Sequence, residues 1–119
     1  MFGTAPLLWL PKGRAQSDTE IIVEWKWRNP RKGVLQSCWA ECKDEYGNKL
    51  NRVYANNNET ATLIIKDLDH NREYSCILTA STYPAQGQDP NECRTSVKLP
   101  PIRTMKHCAF SIMLECLLY

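Results

Sequence analysis

Between Ala61 and Ser81 the chain reads ATLIIKDLDHNREYSCILTAS, and its apolar residues fall on alternate positions. Leu63 and Ile65 share one parity of a first run. Tyr74, Cys76, Leu78 and Ala80 share one parity of a second. Alternation of period two puts every second side chain on the same side of an extended strand, with one face buried. The polar residues Asp69 to Glu73 leave room only for a turn between the two runs. This segment therefore commits the chain to two strands joined at a corner, and the remaining residues must supply the sheets in which such strands can pack.

The same pattern recurs on both sides. In Glu20 to Arg28, Ile21, Val23, Trp25 and Trp27 share one parity and face the core; Ile22, Glu24, Lys26 and Arg28 share the other. In Val34 to Lys43, Cys38, Ala40 and Cys42 alternate with Ser37, Trp39 and Glu41. Pro6 to Ala15 reads as an edge strand, because edges tolerate the interruptions at Pro11 and Gly13 that central strands do not. Leu50 to Tyr54 is a short strand. Cys93 to Leu99 is the last, with Val97 and Leu99 inward, and Pro100-Pro101 stops it. Turn compositions separate these runs at Gln16 to Thr19, Asn29 to Gly33 and Ala55 to Glu59, and at Asp44 to Lys49, where Gly47 and Asn48 are expected to supply positive φ. Tyr83 to Asn91, with Pro84, Gly87 and Pro90, is a longer loop.

A chain of 119 residues has room for one two-layer core. Its 15 basic and 13 acidic residues are interspersed and leave a net charge of +2, without the clustered basic face expected of a nucleic-acid binder. Six cysteines in so short a chain point to an oxidising compartment. Pro6 to Leu10 is too short, and lacks the preceding basic residue, to serve as a signal peptide. That combination implies a natural start upstream, a piece of a larger protein, or reduced cysteines.

Leu68, a short polar turn, and Tyr74 six residues later resemble the E–F corner of a fibronectin type III domain. In such sandwiches a tyrosine near the start of strand F turns its hydroxyl back to the upstream backbone. The proline usual two residues after the leucine is His70 here. Val23-Glu24-Trp25, with Pro30 following, is similar to strand B of that family, and Trp25 takes the place of its central core residue. The spacing leaves Trp27 as an alternative. The resemblance covers about residues 7 to 99. It implies an all-β, seven-stranded, immunoglobulin-like β-sandwich over residues 7–101, after a disordered 1–6, with Trp25, Leu68 and Tyr74 as structural core residues.

In that fold strand F runs antiparallel beside strand C. The resemblance thus implies a Cys42–Cys76 disulfide, and a Cys38–Cys93 disulfide that depends on the long loop folding over. Four buried free thiols are the alternative. Cys38 and Cys42 are about 13 Å apart along one strand, too far to pair with each other. A zinc site from Cys38, Cys42, His107 and Cys108 lacks the usual spacing, and no metal or cofactor is expected. Cys108 and Cys116 are expected to be free. Asn58-Glu59-Thr60 is an N-glycosylation sequon; Asn91-Glu92-Cys93 is the weaker form. His70 and His107 lie in no recognisable nucleophile or acid/base arrangement, so the chain is not expected to be an enzyme.

The resemblance implies a protein-binding or adhesion module, extracellular or from a cell-surface protein, recognising an unidentified protein partner. Recognition is expected through the C–F–G face or the B–C loop (Asn29 to Gly33) and F–G loop, and the candidate contacts are Trp39 and Ile77 on the outer face of the C–F–G sheet and Tyr83, Gln86, Gln88 and Asp89 in the F–G loop. A secreted single-domain surface antigen or receptor fragment, and an intracellular scaffold with reduced cysteines, are the rival readings. Residues 102–119 form an apolar tail outside the domain. Ala109 to Tyr119 is too short to span a bilayer. A short amphipathic helix, the start of a membrane anchor continuing beyond Tyr119, and an accidental terminus all remain open.

Overall fold

The computed structural model describes residues 8–27, 35–55 and 61–107. The N-terminal 1–6, the turn at Asn29 to Gly33, the Asn58 sequon and the apolar tail from Cys108 onward lie outside them. Strand β1 is Leu8–Ala15, β2 Ile21–Trp27, β3 Leu35–Asp44, β4 Val53–Tyr54, β5 Thr62–Ile65, β6 Glu73–Thr82, β7 Arg94–Lys98 and β8 Ile102–Arg103. They form two antiparallel sheets, β1-β2-β5 and β4-β3-β6-β7, with β8 pairing the start of β6. β7 stops at Lys98, ahead of Pro100-Pro101, and the chain then re-pairs as β8, so the last strand of the sandwich comes in two pieces.

The inward parities meet as the alternation requires. Ile21, Val23, Trp25, Leu63 and Ile65 from one sheet pack against Cys38, Ala40, Cys42, Tyr74, Cys76, Leu78 and Ala80 from the other. Trp25 is 3% exposed; the Trp27 side chain lies outside the described set. Pro11 falls where the β1–β2 register slips between Trp9 and Lys12, a bulge on an edge strand. Gly13 has a packing reason, since a Cβ there would overlap the Ile102 side chain.

The E–F corner closes through Tyr74. Its hydroxyl accepts the Asp69 backbone N–H at 2.9 Å, with Leu68 and Tyr74 both buried. Asp67 and Asn71 bracket the turn with positive φ, a conformation that Asp and Asn tolerate better than most residues, so the corner forms with His70 in the proline's place. The chain after β7 fastens onto it. Thr104, 2% exposed, donates from Oγ1 to the Asp69 carbonyl at 2.6 Å and accepts the Arg72 N–H at 3.0 Å. Asn71 donates to the Met105 carbonyl, and Met105 donates to that of Ser17. Residues 102–105 are thus integral to the sandwich, although the sequence reading placed them in the tail.

Candidate functional site

The four-strand sheet turns one parity inward and the other out, and the outward residues fall into rows set by register. Tyr54, Trp39, Thr79 and Ser96 form one row; Glu41, Ile77 and Lys98 form the next; Lys43 and Ser75 follow. Beneath the second and third rows, on the core side, Cys42 and Cys76 lie directly opposite each other on β3 and β6 and are joined by a disulfide. Their carbonyls point away from one another, to the N–H groups of Leu50 and Leu99. That is the non-hydrogen-bonded kind of antiparallel pair, in which facing side chains come closest.

Cys38 and Cys93 do not pair. Both are buried free thiols, and burial pushes the Cys38 thiol up to about 12. Cys38 lies opposite Ala80 on β6, whose other neighbour is Thr95 of β7. Reaching Cys93 means crossing an intervening strand, about 9–10 Å at the usual spacing, beyond the roughly 7 Å Cα separation a disulfide can bridge.

Trp39 faces outward as its parity requires, yet it is only 4% exposed. The guanidinium carbons of Arg52 and Arg94 lie 4.7 Å and 5.6 Å from its ring centroid, and the Tyr54 ring lies 5.9 Å away. Its indole N–H donates to Glu41 Oε1 at 2.8 Å, and the same oxygen pairs with Arg52 Nε at 3.2 Å. The expected Trp39 contact surface is therefore covered from within the domain. Two side chains from flanking segments cover it, and alternation along β3 could not show that. In the same row, Thr79 and Ser96 bond through their hydroxyls at 2.9 Å.

Ile77, the other outward candidate, stays 44% exposed. It borders a depression of about 320 Å³ lined by Glu41, Lys43, Lys49, Leu50 and Lys98 as well. Lys98 lies directly across from Ile77, Lys43 is the diagonal neighbour opposite Ser75, and Lys49 faces Lys43 across the hairpin. The lysines were not singled out from the sequence. Their convergence depends on the register of three strands, and its local trace was a lysine at each end of the Asp44 turn.

That turn is built by Asp44. Its carboxylate accepts from the Tyr46 and Asn48 N–H groups, both at 2.9 Å, and from Asn48 Nδ2 at 3.0 Å. Partial desolvation opposes ionisation of Asp44, but these bonds and the Arg72 charge outweigh it and hold the carboxyl below its usual range. Gly47 supplies the positive φ; Asn48 contributes its side chain instead.

The F–G loop is ordered by its own hydrogen bonds. Gln88 N–H reaches the Ala85 carbonyl at 2.9 Å, and Gly87 has φ of 78°, the pattern of a type II turn with glycine at its third position. Gln88 Oε1 accepts the Ala85 N–H, and Asp89 caps the 3-10 helix Pro90–Cys93 by accepting the Asn91 N–H. Gln88 and Asp89 thus shape the loop, while Tyr83, 44% exposed, and Gln86 are presented by it.

These features define an immunoglobulin-like sandwich of fibronectin type III fold. Comparison with solved structures places it there as well. The fn3 domain of human collagen alpha-1(XX) chain superposes with a TM-score of 0.65 at 16% identity, covering 90% of each chain. A structure described as "Myokine structure" gives a TM-score of 0.58 at 18% identity, covering 88% of this chain and 99% of its own. No protein-family model matches the chain, and no curated protein does. Identities this low establish the shared fold alone.

Proposed function

We propose that the chain is a non-enzymatic protein-recognition module of an extracellular or cell-surface setting, which engages its partner through the open part of the outer sheet face or through the F–G loop beyond the covered Trp39 row. The observation that carries this reading is Ile77. A large aliphatic side chain stands 44% exposed in the middle of a sheet face, on two strands joined by the Cys42–Cys76 disulfide. An apolar group held on a rigid surface beside a depression loses little entropy on binding, and Tyr83 adds an amphipathic aromatic of the kind enriched at interfaces. The disulfide supports the oxidising setting. The fold supports a binding role by analogy, since folds of this kind host sites on their faces and loops.

The test is capture of extracellular proteins on the immobilised domain, comparing the native chain with Ile77→Ser and Tyr83→Ala. The expected result is a partner retained by the native domain and lost by at least one variant. Retention of every captured protein by both variants would remove this surface from consideration.

A further inference from the structure

The recognition reading leaves the chemistry of the partner open, and the surroundings of Ile77 narrow it. Lys43, Lys49 and Lys98 line the same depression. Among the described residues no ion pair or side-chain hydrogen bond engages any of the three ammonium groups. Lys43 and Lys49 face each other directly across the hairpin, an arrangement of like charges that costs stability in a sheet. The single carboxylate lining the depression is that of Glu41, and it is already held by Arg52 and the Trp39 indole. In a chain whose net charge is only +2, three uncompensated cations around one exposed isoleucine form a local positive field over an apolar floor.

Resting on the recognition reading above, we infer that this depression receives an acidic peptide segment of a protein partner, with an apolar side chain seated on Ile77 and Leu50 and flanking carboxylates reaching Lys43, Lys49 and Lys98. Charge complementarity selects the acidic character. The apolar floor selects a peptide over a sulfated polysaccharide, which would gain nothing from Ile77. Lys98 sits on β7, the edge of its sheet, and among the described strands none pairs with β7 on its outer side.

The probe is a synthetic peptide with one leucine between runs of aspartate and glutamate, titrated at low ionic strength. The controls are its Asn/Gln counterpart, its leucine-to-glycine counterpart and a heparin oligosaccharide. The native domain should bind the acidic peptide. Binding should fall about tenfold or more for Lys43→Glu combined with Lys98→Glu, and should fade at about 0.5 M salt, where the screening length is only a few ångströms. Ile77→Ser and the glycine peptide should each weaken it, and Tyr83→Ala should not. All substituted side chains except Ile77 are polar and exposed or lie in the loop, and matching melting temperatures confirm that the variants fold. No binding of the acidic peptide, equal binding of the Asn/Gln control, indifference to the charge reversal, or binding of heparin alone would each overturn the inference. Protein capture that is lost in Ile77→Ser or Tyr83→Ala while the peptide does not bind would overturn the acidic segment and leave the recognition surface standing.

Discussion

In one row of the outer sheet face Trp39 is covered by Arg52 and Arg94, its N–H tied to Glu41. In the next row and beyond it, Ile77 and three lysines stand open to solvent. The core side reverses this arrangement. Beneath Trp39 the strands carry the free thiol Cys38 and small alanines, whereas beneath Ile77 they are joined by Cys42–Cys76. One part is held by packing on its outer surface, the other by a covalent bond on its inner one. The difference shows how a sheet can stay rigid under a surface that remains uncovered.

The comparison can be broken from either side. Trp39→Ala should cost the most, about 3–5 kcal/mol as for other buried aromatic truncations, read as a lower urea midpoint; a loss below about 1 kcal/mol would mean that the arginine layer does not hold that row. Replacing Cys42 and Cys76 together by alanine should cost about 2–4 kcal/mol, the usual range for opening a disulfide loop, here with a sequence separation of 34. In the native protein, alkylation should find Cys42 and Cys76 protected until reduction, with Cys38 and Cys93 reacting as free thiols only on unfolding. Removing Arg52 and Arg94 together should cost a fraction of the Trp39→Ala loss and should raise acrylamide quenching of tryptophan fluorescence; unchanged quenching would show that something else covers the ring. Ile77→Ser should leave stability within about 0.5 kcal/mol, as exposed substitutions do, and a larger drop would place Ile77 in the structure rather than at an interface.

Alternation placed Trp25 and Tyr74 inward and Trp39 and Ile77 outward, because side-chain parity is fixed by the backbone; Leu68 came from the resemblance of the corner. The Cys42–Cys76 pair was legible once the fold set β3 beside β6, since neighbouring strands and matching parity suffice. Cys38–Cys93 failed on a quantity that parity does not carry, the lateral distance across an intervening strand. Trp39 was placed on the right face with the wrong exposure. Long arginine side chains decide that by where they fold back, and Arg52 comes from beyond a hairpin while Arg94 comes from a strand more than fifty positions away in the chain. The lysines were missed for a related reason, since Lys98 joins Lys43 and Lys49 only through the pairing of β6 with β7.

The disulfide has a topological consequence. The segment from Cys42 to Cys76 is a closed covalent ring, and within it lie β4, the whole of β5 and the tyrosine corner. β5 hydrogen-bonds to β2 in the opposite sheet, so a bond formed inside one sheet also leashes a strand of the other. A protease that cuts the backbone anywhere between Lys43 and Ser75 would leave two fragments that migrate as one species until a reductant parts them.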